Sequence, residues 1–361
     1  MQVTFPYMGT SNIVFKSIME ELGHEVIVKQ PSKKTLSLGA KYAPEFACVP
    51  FKILLGTYIE SLAEGANLII TSGGRGPCRA GHYAQLQEKI LKDLGYEFEM
   101  VVFEALTDSF KGFFNNIRKV AGPHLSWWQI FKLIKKEWYR LMVLDEVERL
   151  SHKVRPRELK KGDTTKAFAK VKRVLTAANT KKDIKNAKEK SLQLLNDVPQ
   201  DHNYDPLKIG IIGEIYVVLE PFANLEIEKT LGEMGVEVDR SIYLTGWTKD
   251  HTFFMPGEDE VVKAAKPYLD QLVGGHGQDS VGNTILYAQN DFDGVIQLAP
   301  FTCIPEIVAK SILPQVSKDR NIPFLTLFLD EKTGKAGVNT RLEAFIDLLA
   351  KKRDKTGEKI S

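Results

Sequence analysis

The strongest chemical signal in the 361-residue chain comes from its three cysteines, the only ones it has. Cys48 lies in Ala43-Pro-Glu-Phe-Ala-Cys48-Val-Pro50, and Cys303 lies in a near-copy, Ala299-Pro-Phe-Thr-Cys303-Ile-Pro305. Cys78 occupies a glycine-rich stretch, Gly73-Gly-Arg-Gly-Pro-Cys78-Arg79. Three thiols cannot form a disulfide framework, and in a reducing compartment cysteines with such neighbours more often bind metal or do chemistry. The flanking prolines stiffen these loops and remove amide donors, while glycines let backbone pass close to a bulky group. Together the thiols are read as the holders of an iron-sulfur cluster. Zinc is the alternative metal, although it usually wants a fourth Cys or His and closer spacing. Unreactive buried cysteines are the plain structural alternative.

The elements that must position these thiols follow from hydrophobic periodicity. A strand at 3–5, a helix at 12–22 and a strand at 25–28 make one βαβ unit. A loop over 31–45 leads to Cys48 and a helix at 51–63, with Pro50 where a first-turn proline is tolerated. A buried strand at 67–71 then runs into the Cys78 loop, a helix at 82–94 and a strand at 97–103. Residues 108–196 read as long helical stretches. The second half repeats the alternation. It has strands at 207–212, 236–242, 294–298 and 324–329, helices at 223–234, 258–272, 280–289 and 306–316, a loop over 213–221 and a closing helix at 340–351. The expected fold is therefore α/β. Two tandem flavodoxin- or Rossmann-like domains with parallel sheets, 1–107 and 201–361, flank a basic helical insertion, 108–200. Each thiol is expected to follow a strand and precede a helix, at the carboxyl edge where open α/β sheets bind ligands. The positive helix end there lowers a thiol pKa and favours the thiolate. Cys48 and Cys303 are expected at equivalent positions of the two halves.

Length and charge set the remaining bounds. The chain is too long for one ordinary core and fits two domains plus an elaboration. No window approaches a membrane-spanning run, and the amino-terminal residues lack a secretory pattern, so a cytoplasmic location is the default. The net charge of +3 conceals an asymmetry, because residues 111–190 hold 22 Lys and Arg against 8 Asp and Glu. A solvated helical face accounts for such a run, and a docking surface for an acidic partner or ligand phosphates is the sharper reading. No nucleic-acid motif accompanies the charge, and neither nucleic acid nor membrane is expected as a partner. The chain lacks a phosphate-binding G-x-x-x-x-G-K-[ST] loop, so ATP hydrolysis is not expected of it.

Other polar residues stand near the thiols in sequence. Arg75 and Arg79 flank Cys78 and can balance a negatively charged cluster or grip an anionic substrate. His276, in Gly274-Gly-His276-Gly277, can donate a proton or simply fix its loop. Glu214 and Tyr216 follow a strand end, and Glu306 is expected to complement the start of the helix after Cys303.

Several motifs together, Cys48-Val-Pro-Phe-Lys52 with Gly56 and Glu64-Gly-Ala66, Gly76-Pro-Cys-Arg-Ala-Gly81, Gly275-His-Gly277, Pro300-Phe-Thr-Cys-Ile-Pro-Glu306 and Thr340-Arg-Leu-Glu-Ala-Phe345, resemble the subunits of 2-hydroxyacyl-CoA dehydratases and benzoyl-CoA reductases. The nearest branch is the one described as D-component-like or CoA-enzyme-activase-related. The resemblance covers both α/β halves but not the basic middle. It implies a 4Fe-4S cluster held by Cys48, Cys78 and Cys303, with one iron lacking a cysteine. Electrons would come from a separate ATP-hydrolysing iron-sulfur activator. A dehydratase or low-potential reductase component of anaerobic metabolism is implied, acting on acyl-CoA or another small substrate, as a homodimer or with a related subunit. A non-catalytic cluster carrier or regulatory partner is the alternative. The chain carries no CoA-binding signature.

Overall fold

Leu68, Ile69 and Ile70 are all buried, which demands apolar layers on both sides of one strand, because successive strand side chains point to opposite faces. Leu68 and Ile70 pack with Val3, Met19, Leu22 and Ile130, whereas Ile69 packs with Phe51, Leu55, Tyr58 and Leu91. The sheet is therefore covered by helices on each face. The computed structural model describes residues 1–74, 78–104, 109–252 and 260–357.

In chain order the first elements are β1 (Gln2–Thr4), α1 (Ser11–Glu21), β2 (Glu25–Val26), α2 (Lys33–Tyr42), α3 (Val49–Ala63), β3 (Leu68–Ser72), α4 (Tyr83–Asp93) and β4 (Glu99–Phe103). Four helices follow: α5 (Phe110–Ala121), α6 (Trp127–Val154), α7 (Asp163–Thr176) and α8 (Lys181–Asn196). The next elements are β5 (Leu207–Gly213), α9 (Ile215–Leu219), α10 (Ile227–Glu233), β6 (Val236–Arg240), α11 (Leu244–Thr252) and α12 (Glu260–Ala265). The last are α13 (Gly277–Gln289), β7 (Gly294–Pro300), α14 (Ile304–Arg320), β8 (Phe324–Leu329) and α15 (Lys335–Gly357).

Among the described residues the named strands all pair in parallel, in two four-stranded sheets of order β2-β1-β3-β4 and β6-β5-β7-β8. The two sheets share one topology, so the α/β class and the pair of Rossmann-like sheets expected from the alternation are present. The chain forms two compact units, Met1–Leu144 with Leu244–Met255, and Asp145–Tyr243 with Pro256–Ser361. Among the described residues no helix is long and apolar enough to cross a membrane.

The segment expected as a loop over 31–45 instead contains α2. Ser32 accepts from the Thr35 amide at 3.2 Å and its own amide donates to the Thr35 hydroxyl at 3.0 Å, a reciprocal cap that starts the helix. Two glycines then let α2 lie directly on α3. A Cβ at Gly39 would stand 1.6 Å from the Lys52 carbonyl oxygen, and one at Gly56 would stand 1.9 Å from that of Thr35. Both obstacles are backbone, so Gly39→Ala must push the helices apart. A loss of about 1–3 kcal/mol or more is expected, measured as a lower denaturant midpoint; an unchanged midpoint would show that the pair does not need this approach.

The second half departs from expectation in the same way. The stretch read as a loop over 213–221 holds α9, begun by Glu214, whose carboxylate accepts from the Val217 amide at 3.1 Å. The short α12 lies on α13, where a Cβ at Gly282 would meet the Val261 carbonyl oxygen at 2.1 Å. Thus a closely packed helix pair precedes the third strand of each sheet.

Candidate functional site

Each of the three thiols occupies the N-cap of a helical segment without using its side chain to cap it. Cys48 precedes α3, Cys78 precedes a 3₁₀ turn over Arg79–His82 that runs into α4, and Cys303 precedes α14. Pro50 and Pro305 fall in the first turns of α3 and α14, where a missing amide costs nothing.

In the first unit the Cys48 and Cys78 loops adjoin. The Cys48 thiol contacts the Tyr83 hydroxyl at the start of α4, and the Tyr83 ring stands edge-on to Phe51 of α3 with centroids 4.9 Å apart. Arg79, next to Cys78, donates to the Phe46 carbonyl at 3.1 Å and places its guanidinium 5.9 Å from the Phe46 ring. Arg79 therefore ties the Cys78 loop to the segment leading into Cys48. Cys48 is buried and Cys78 half-buried. Lys52, one turn into α3, is also buried, and places a long cationic side chain on the helix that Cys48 begins. Arg75 lies outside the described residues.

In the second unit Cys303 follows β7, and Glu214 follows β5. His276 precedes α13, so all three stand at the carboxyl edge of the β6-β5-β7-β8 sheet. Cys303 and His276 are buried. His276 and Cys303 stand at touching helix starts, since a Cβ at Gly277 of α13 would meet the Pro305 carbonyl oxygen of α14 at 2.6 Å. Thr302 holds a φ of +69° immediately before Cys303. A β-branched residue in that region is strained by about 1–3 kcal/mol, a cost that persists only where the surroundings fix the backbone.

Glu306 is not the helix cap expected from its position. Its carboxyl group is wholly buried and receives the Ser280 hydroxyl at 3.0 Å and the Gln297 side-chain amide at 2.8 Å. Gln297 also donates to the Glu306 carbonyl at 2.9 Å and accepts from the Thr326 hydroxyl at 2.9 Å. The carboxyl thus pins the start of α14 to α13 and the sheet. Burial, with the negative charge of Glu214 nearby, pushes Glu306 up to about 8 despite its two hydrogen-bond donors. Glu214 is half-buried, and the protein crowding its remaining sides pushes it up to about 7. These two carboxyl groups therefore change protonation near neutral pH.

The chain matches no protein-family model and no curated protein.

Topology also corrects the pairing suggested by the near-copies. Cys303 follows the third strand of its sheet as Cys78 follows the third strand of the other. Cys48 begins the second helix of a glycine-packed pair, the place held by His276 in the second half. The resemblance between the Cys48 and Cys303 stretches is local: both are helix starts with a first-turn proline and an exposed phenylalanine, Phe46 or Phe301, two residues before the cysteine. Nor does Cys48 follow a strand directly, because α2 intervenes. No group of three or more His, Cys, Asp or Glu positioned to hold a metal occurs among the described residues. Sequence reading missed Tyr83, Ser280 and Gln297, whose roles depend on which helices and strands the fold brings together. Only Lys52, four residues after Cys48 on a helix, carried a signal in spacing.

Proposed function

We propose that the chain is a low-potential iron-sulfur protein of the 2-hydroxyacyl-CoA dehydratase type, with Cys48, Cys78 and Cys303 as thiolate ligands of a 4Fe-4S cluster. The observation that supports this reading is that all three thiols stand at helix N-caps with side chains not spent on capping. Such positions suit thiolates, the form that iron requires. A cluster bound there supplies one-electron chemistry at low potential and, with only three cysteines, an iron open to a small substrate.

The protein's own residues have separable tasks in this reading. Arg79 fixes the Cys78 loop against the Phe46 backbone and brings a positive charge to a region of thiolates. Glu214, with a carboxyl group near 7, is suited to take and return a proton at neutral pH. His276 adjoins the start of α14 and can donate a hydrogen bond or a proton there, while Glu306 holds that start in place. Electrons come from a separate ATP-hydrolysing activator, and the substrate is an acyl-CoA or another small molecule; a related subunit or a second copy completes the assembly.

Replacing each cysteine by serine tests the ligand set. Cys48→Ser, Cys78→Ser and Cys303→Ser are each expected to lose most of the visible charge-transfer absorption of anaerobically reconstituted protein, with far-ultraviolet circular dichroism retained. Full absorption in any one variant would remove that residue from the set.

A further inference from the structure

The longest stretch without a carboxylate coincides with an exposed aromatic surface. Residues 109–136 contain six Lys and Arg and no Asp or Glu. They build α5 and the first turns of α6, whose inner sides are spent on the core: Val120, Ala121 and Ile130 are buried there, with Ile117 and Leu133 packed against them. The outer sides carry Phe110, Trp127, Trp128, Phe131 and Ile134, all exposed, with Phe110 at 68% and Trp128 at 62%. Folding alone does not account for this face, because the same helices have already buried their apolar stripe.

The rings form two held groups on neighbouring helix positions. Phe110 lies 4.7 Å from Phe114, which meets Trp127 at 5.8 Å, and Trp128 stacks on Phe131 at 5.8 Å with their planes 18° apart. A reciprocal cap fixes the two tryptophans in the first turn of α6: the Ser126 amide donates to the Gln129 side chain at 2.8 Å, and the Gln129 amide donates to the Ser126 hydroxyl at 3.3 Å. Arg118, held by the carbonyls of Gly122 and Leu125, lies 4.3 Å from the Trp127 ring, and the Lys132 ammonium lies 5.3 Å from that of Trp128. Lys119 pairs with Glu99 and Lys136 with Glu21. Lys111, Lys132 and Lys135 are exposed and pair with no carboxylate among the described residues.

Two chemistries recognise aromatic rings fringed by cations. Protein interfaces favour arginine and are depleted in lysine. Here the exposed cations without a carboxylate partner among the described residues, Lys111, Lys132 and Lys135, are all lysines, and residues 109–136 contribute no negative charge of their own. Tryptophan and phenylalanine settle at the boundary between headgroups and acyl chains, lysine stems reach past them to the phosphates, and anionic lipids supply the missing charge. We propose that the α5–α6 aromatic and lysine face docks this protein on an anionic membrane surface without spanning it. The lack of a spanning helix, which set the expectation of no membrane partner, does not bear on attachment of this kind.

Sedimentation of the full chain with phosphatidylcholine vesicles, with and without phosphatidylglycerol, tests this independently of any bound cluster. Binding to the anionic vesicles, weakening with added salt, is expected, together with a blue shift of tryptophan emission. Lys132→Gln with Lys135→Gln is expected to lower that affinity about 30-fold, and Trp128→Ala with Phe131→Ala to abolish the shift. All four side chains are exposed, so melting temperatures should stay at the wild-type value. No sedimentation with anionic vesicles, or equal binding by wild type and both variants, overturns the proposal. Capture of an acidic protein by this face in the absence of any vesicle binding would overturn it in favour of a protein partner.

Discussion

Raising the pH from about 5 to about 8 is expected to destabilise the protein, and Glu306→Gln is expected to remove much of that loss. The folded chain holds the Glu306 proton until about pH 8, whereas an unperturbed glutamate releases it near 4.5. A carboxyl raised by folding contributes its full stability below the unfolded value and loses it as pH rises through the folded one. At about 1.4 kcal/mol per unit, the difference is on the order of 4 kcal/mol across that window for a wholly buried group. Glutamine keeps the shape, and its amide can replace the carboxyl opposite Ser280 and Gln297 without acquiring charge. Wild type and variant should therefore melt alike near pH 5, and the variant should be the more stable near pH 8. Parallel pH profiles would show that Glu306 does not carry the dependence. Glu214 adds in the same direction but less, being half-buried.

Arg240→Ala is expected to cost about 3–5 kcal/mol, because it strands buried carboxylates. Arg240 ends β6, is buried, and pairs with Glu148 of α6 and, at 3.3 Å, with Glu228 of α10. His152 approaches Glu228 at 3.5 Å. Burial alone would raise Glu228, yet Arg240 and His152 beside it hold its carboxyl down to about 2. Arg149 and Arg240 also cover the Tyr243 ring at 3.8 and 4.5 Å. The effect should lie in the unpaired charges rather than in the size of the side chain. Replacing the set together, Glu148→Leu, Glu228→Leu and Arg240→Met, should recover most of the loss in equilibrium denaturation, as apolar substitutes for buried ion networks often do. A triple variant no better than Arg240→Ala would place the cost in packing instead.

How much of this was legible in the sequence depended on range. The alternation that gives two parallel sheets is written in local periodicity, and residues such as Leu68, Ile69 and Ile70 declare a strand covered on both faces. The α2 helix was hidden because Ser32, Ser37, Gly39 and Pro44 read as a loop. Its cap needs Ser32 and Thr35 together, and Gly39 serves close helix packing rather than a turn. The near-copies around Cys48 and Cys303 misled for a related reason. They report how a helix starts after a cysteine, a local matter, while the order of strands, which no short motif contains, makes Cys78 the counterpart of Cys303. Glu306 looked like a cap because it stands in the first turn. Its partners, Ser280 and Gln297, come from another helix and from a strand, and only the fold brings them to it.

The iron and acid-labile sulfide content of the full chain, purified without oxygen, bears most directly on the proposed role. About four irons and about four sulfides per chain are expected, in a brown protein. A colourless protein holding zinc, or no metal after reconstitution with iron and sulfide, would contradict it.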